Sequence, residues 1–117
     1  GEAMKIMEAM LTIDPYNPNS LNNLAFLYAE EERNFYSAEQ MVKTAIRINP
    51  LERGRYLKTL GFIYLKKGEY EVAIGLFKEV LKIEPGSEWT RSRLEEANSK
   101  ISPPLNGRGL RGGGISP

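Results

Sequence analysis

At 117 residues, with 41% hydrophobic and 26% charged residues, the chain has the size and makeup of one soluble domain with a modest core. Sixteen Lys and Arg against fifteen Asp and Glu leave a formal charge of +1, without the basic excess of a dedicated nucleic-acid binder. Cys and His are absent, which removes disulfides, thiolate or imidazole metal sites and His-based nucleophile pairs, and no apolar run approaches the roughly 20 residues of a membrane span.

Residues 2–15 carry Ala3, Met7 and Met10 at helical spacing and close on Leu11-Thr12-Ile13-Asp14-Pro15. A proline cannot continue the helical hydrogen-bond ladder and pushes the residue before it out of the helical region, so each such ending stops a helix. Residues 18–52 and 54–87 repeat the ending as Ile46-Arg47-Ile48-Asn49-Pro50 and Leu81-Lys82-Ile83-Glu84-Pro85, with the prolines 35 residues apart. Within 18–52, Leu21, Leu24, Ala25 and Tyr28 form one helix face, Glu30 to Asn34 a polar break, and Phe35, Ala38, Val42 and Ala45 a second face. Within 54–87 the same places hold Leu57, Leu60, Gly61 and Tyr64, then Lys66 to Glu69, then Tyr70, Ala73, Phe77 and Val80.

Two helices per unit follow, which makes 2–15 the second half of a unit whose first helix is expected to be absent. The start at Gly1, directly into a helical pattern, reads as a trimmed piece, so the lack of a signal segment leaves the cytoplasm favoured and the periplasm open. After Pro85, Gly86 and Ser87 read as a turn and N-cap before a capping helix over 87–101, with Trp89, Leu94, Ala97 and Ile101 facing the stack and Arg91, Arg93, Glu95, Glu96 and Lys100 facing solvent. From Ser102 the composition turns to Pro, Gly, Ser, Asn and Arg, which predicts a flexible Gly/Pro-rich tail over 102–117.

The succession of Leu, a small residue and Tyr, then an aromatic and Ala, then a terminal Pro resembles the tetratricopeptide repeat. The resemblance covers 2–101 in architecture and is nearest at 54–87, through Leu60-Gly61-Phe62-Ile63-Tyr64, Gly68-Glu69-Tyr70 and Ala73. The copy at 18–52 departs from it in Ala25, in one extra turn residue, and in Arg33 where the other copy has Gly68. The resemblance implies an all-α, α-α superhelix, a right-handed stack of antiparallel helical hairpins with about six helices over 1–101. It also implies a non-catalytic scaffold for protein–protein interaction.

The residues themselves offer no catalytic, cofactor or metal constellation. Asp14 is the only aspartate, Glu30, Glu31 and Glu32 fall in a turn, and Glu95 and Glu96 fall on an exposed face. Gly107, Gly109, Gly112, Gly113 and Gly114 lack the strand before and the Lys-Ser/Thr after that a phosphate-cradling loop requires.

A stack of hairpins presents a concave surface lined by the first helix of each, suited to an extended or helical peptide. Helical wheels place Asn19, Asn22, Asn23, Phe26 and Glu30 on that face of one copy and Arg55, Lys58, Thr59, Phe62 and Lys66 on that of the next. Phe26 and Phe62 are candidate anchors for an apolar side chain, Asn22 and Asn23 for a peptide backbone, and Arg55, Lys58 and Lys66 for carboxylates, so an acidic or C-terminal peptide suits the groove. Asn23 and Arg55 look similar to members of the clamp with which some tetratricopeptide domains hold a chaperone's terminal carboxylate. The Arg that such a clamp would have near Thr59 is missing, as is the preceding first helix, so the resemblance does not extend to a prediction of chaperone binding.

Two other readings compete. Met4, Met7, Met10 and Leu11 on the unpaired first helix, together with Ile6, suit self-association into a homodimer, since methionine adapts to irregular partners. Arg91, Arg93, Lys100, Arg108 and Arg111 suit RNA, but two tail arginines release few counterions, which disfavours nucleic acid.

Overall fold

The three residues before Pro15, Pro50 and Pro85 set where the chain turns. In the computed structural model, which describes residues 1–101, Asp14, Asn49 and Glu84 share nearly one backbone conformation, with φ −135°, −133° and −128° and ψ 84°, 72° and 76°. Each still donates its N–H four residues back, to the carbonyls of Met10, Ala45 and Val80, so the last turn closes before the proline breaks the ladder.

The helices so delimited are α1 (Glu2–Ile13), α2 (Pro18–Glu30), α3 (Phe35–Ile48), α4 (Arg53–Lys67), α5 (Tyr70–Ile83) and α6 (Glu88–Ile101), with a 3-10 turn over Pro50–Glu52. The described residues contain no strand, and the expected all-α stack of six helices is the observed fold. The tail expected over 102–117 lies outside the described residues, as do Arg108 and Arg111.

Local chemistry explains the starts. The Ser20 N–H donates to the Asn17 side chain at 2.9 Å, and Pro18 occupies the first turn of α2, where its missing N–H costs nothing. At α6 the Thr90 N–H donates to Ser87 Oγ at 3.3 Å. The two hairpin turns differ: α4 passes to α5 through Gly68 at φ 85°, whereas the turn between α2 and α3 places Glu32 and Asn34, both with a Cβ, at φ 53°.

α1 packs on α2, α3 lies between α2 and α4, and α5 lies between α4 and α6. The first helices α2, α4 and α6 also touch in succession, while α1, α3 and α5 make no contact with one another. Drawing one set together and splaying the other makes the α2–α4–α6 side the hollow side of the stack.

The hairpin cores follow the expected faces. Ala25, Ala38, Val42, Ala45, Ala73, Phe77 and Val80 have no exposed surface. A Cβ on Gly61 would lie 2.5 Å from the Phe77 ring, so glycine is what lets α4 approach a phenylalanine; the equivalent pair in the other hairpin is the milder Ala25 and Val42. Burying side chains such as Leu24, Ile63 and Phe77 stabilises by roughly 1.5–3 kcal/mol each. Tyr56 and Ile63, outside the expected faces, are completely buried, while Ile101, expected against the stack, remains 41% exposed.

α1 differs from its counterparts. Met10 is 43% exposed where the equivalent Ala45 and Val80 are fully buried, and Ile13 is 85% exposed where Ile48 and Ile83 are 44% and 45%. The surface offered for self-association is therefore corrected in part: Met4 is buried in the core, Met7 and Leu11 pack against it, and the open apolar residues are Ile6, Met10 and Ile13. At the other end of the stack, α6 presents exposed Arg91, Glu95 and Asn98.

Candidate functional site

The hollow side is organised by aromatic rings. Phe26 on α2 and Phe62 on α4 stack with centres 4.6 Å apart and planes 18° from parallel. Trp89, at the start of α6, tilts against both at 6.3 and 5.8 Å and meets Phe77 edge-on at 6.1 Å. Phe62 is thereby covered and only 7% exposed, so it is not the open anchor that its helix position suggested; Phe26 and Trp89, both half-buried, are the accessible rings. Trp89 was expected only to pack the capping helix. Its groove role has no local signal, because the rings beside it belong to the two preceding repeats.

Asn22, Phe26, Arg55, Lys58, Thr59 and Trp89 line a cleft of about 200 Å³. Asn22, Phe26 and Thr59 also border a second cleft of about 380 Å³, completed by Ala3, Met7, Asn23 and Leu27. The two therefore adjoin across α2. Thr59 is 4% exposed, and Asn23 is exposed on the same face.

The polar residues are already partly committed to one another. Asn19 Oδ1 accepts from Arg55 at 2.7 Å and from the Tyr56 hydroxyl at 3.3 Å, and Tyr56 Oη accepts from Asn49 at 3.2 Å. Lys58 pairs with Glu84 at 3.0 Å, so its charge is not free for a ligand carboxylate as expected. Lys66 sits 5.5 Å from the centre of the Phe62 ring, and it borders a different pocket, with Glu32, Tyr70 and Lys100. Asn22 is the exception: it is 7% exposed, and its Oδ1 is buried with no hydrogen-bond partner among the described residues. Leaving a buried acceptor unpaired costs about 1–3 kcal/mol.

The displaced titrations lie at the junctions between repeats. Burial pushes the Glu39 carboxyl up, but hydrogen bonds from Lys67 and Tyr64 and the charges of Lys67 and Lys43 outweigh it and hold the group below its ordinary value. Its bond to Glu39 raises Lys67 in turn. Tyr28 and Tyr64 are raised by burial and then by their hydrogen bonds to Glu8 and Glu39. These groups tie helices together and are not among the residues that line the two clefts.

Among the described residues no group of three or more acidic side chains is placed to hold a metal, and no helix is long and apolar enough to cross a membrane. Arg91 pairs with Glu88 and donates to the Pro85 carbonyl, and Arg93 pairs with Glu96 at 3.2 Å while lying over Trp89, so the cap's arginines are engaged within α6 and the turn before it. A family model described as Tetratricopeptide repeat matches residues 54–87. No curated protein matches the chain.

Proposed function

Since the chain is a tetratricopeptide repeat protein, with the family's pattern matched at 54–87, we propose that it is a non-catalytic scaffold that holds a segment of a partner protein on the hollow side of α2, α4 and α6. Repeats of this family generally mediate contacts between proteins. The observation that carries the reading is the cleft lined by Phe26 and Trp89, where accessible rings stand beside Asn22, whose carbonyl oxygen has no hydrogen-bond partner among the described residues.

A photo-crosslinking residue placed at Asn23, exposed beside the cleft, is expected to capture a partner, and one at Tyr36, 75% exposed on α3, is not. Phe26→Ala with Arg55→Glu in a folded protein should abolish the capture. Equal crosslinking from Tyr36, or capture untouched by the double substitution, defeats the reading.

A second reading, self-association through α1, draws on Met10 and Ile13, far more exposed than their counterparts in α3 and α5. Light scattering tests it: a particle that grows with concentration, and stops growing in Met10→Lys, is the expected result, and a monomer at every concentration removes it.

A further inference from the structure

One cleft brings together a buried acceptor, an uncompensated cation and an aromatic wall, and the three together describe a ligand. The buried acceptor is Asn22 Oδ1, in a residue only 7% exposed and without a hydrogen-bond partner among the described residues. Turning the carboxamide over would place its NH₂ group in the same confined spot, so in either orientation the natural complement is a peptide group, which carries both a donor and an acceptor.

The cation is Arg55. Lys58 beside it is neutralised by Glu84 at 3.0 Å, whereas Arg55 donates only to the neutral Asn19, and no carboxylate among the described residues pairs with it. Its charge therefore favours an acidic visitor. The wall is formed by Phe26 and Trp89 around a space of about 200 Å³. An apolar cavity of roughly 150 Å³ accommodates a benzene ring, so this space takes one aromatic side chain.

The adjoining cleft at Met7 and Leu27 shares Asn22, Phe26 and Thr59 with the first, so a chain seated at Asn22 has room to continue past it. In an extended chain, residues two apart lie on one side at a spacing of roughly 7 Å, which suits adjoining pockets.

Resting on the concave-face reading above, we propose that the ligand is an internal, extended segment with an apolar residue two positions from an aromatic one and an Asp or Glu two positions from the aromatic on its other side. The aromatic side chain packs against Phe26 and Trp89, the apolar one reaches Met7 and Leu27, the backbone between them meets Asn22, and the carboxylate pairs with Arg55.

The test is selection of random octapeptides displayed on phage and fused through their C-terminal ends, so that no free terminal carboxylate is present, against the full chain. Enrichment of an aromatic residue with Asp or Glu within two positions is expected. Trp89, the only tryptophan, reports occupancy by its fluorescence. Peptides that perturb Trp89 but lack the aromatic–acidic pair overturn this inference and leave the concave-face reading standing; peptides that bind without perturbing Trp89, or no enrichment at all, count against both. Binding regained only by synthetic peptides with free C-terminal carboxylates overturns the internal segment.

For an enriched peptide, N-methylation of the backbone amide that meets Asn22 should weaken binding about tenfold in the native chain and not at all in Asn22→Ala. Equal losses in both remove Asn22 from the account. Arg55→Gln, at an exposed position that leaves the core untouched, should erase the preference for Asp or Glu over Asn or Gln; an unchanged preference removes Arg55.

Discussion

The Tyr64 hydroxyl on α4 donates to the Glu39 carboxylate on α3 at 2.9 Å, joining one repeat to the next. Lys67 reaches the other oxygen of Glu39 at 2.6 Å and also Glu69 at 3.2 Å, so a carboxylate only 8% exposed has its charge answered on both oxygens. Tyr28 donates in the same manner to Glu8 on α1 at 3.1 Å. A first-helix tyrosine thus reaches back to an acidic residue of the preceding helix at the α1–α2 and α3–α4 junctions, although Glu8 and Glu39 do not occupy equivalent repeat positions.

Glu39→Gln should lower stability at pH 7 by about 1–3 kcal/mol, since it weakens charge-assisted hydrogen bonds at a buried site. Folded Glu39 ionises below its ordinary value of 4.5, so its contribution is complete above that value and is lost as the pH falls through the folded value. Urea unfolding of both proteins at pH 7 and at about pH 3 checks the sign: the gap between them should narrow in acid. A gap independent of pH contradicts the assignment.

Gly61 and Gly75 both sit inside helices yet should respond oppositely to alanine. A Cβ at Gly61 would meet the Phe77 ring at 2.5 Å, and forcing that ring aside in a full core costs about 1–3 kcal/mol. At Gly75 nothing lies within 4 Å, so Gly75→Ala should stabilise α5 by about 0.5–1 kcal/mol through reduced backbone freedom. Opposite shifts of the thermal midpoint are the expected readout.

The contrast also marks how far the sequence could be read. Prolines at a 35-residue interval and one apolar face per helix gave the hairpins, because a helix end and a helical period are local properties. A first helix inside a stack is covered by its own partner, by the preceding second helix and by neighbouring first helices, so α4 also buries Tyr56, Thr59, Phe62 and Ile63, beyond what one periodic face can signal. The groove was legible as a set of positions in Asn22, Phe26, Arg55 and Thr59. Its chemistry was not: that Arg55 turns to Asn19, that Lys58 is tied to Glu84 and that Trp89 closes the cleft all depend on side chains meeting across repeats.

Tyr56→Phe should test the polar chain that crosses from α3 to α2. The ring is wholly buried and would stay in place, but Asn49 would lose its acceptor at 3.2 Å and Asn19 one of its two donors. A loss of about 1 kcal/mol in urea unfolding is expected, the ordinary worth of a part-buried hydrogen bond. An unchanged midpoint would mean that solvent replaces both bonds.

Glu84→Gln separates the stability role of a groove charge from its recognition role. Glu84 is 38% exposed and Lys58 28%, so their 3.0 Å pair lies in partly solvated surroundings and its removal should alter stability by less than about 1 kcal/mol. The same change frees Lys58 beside Arg55 in the cleft lined by Phe26 and Trp89, doubling the uncompensated positive charge there. Acidic peptides should then bind several-fold more tightly, with the gain shrinking as salt rises, while neutral peptides bind as before. Titration followed by Trp89 fluorescence at two salt concentrations distinguishes this from a general loosening of the groove, which would change acidic and neutral peptides alike.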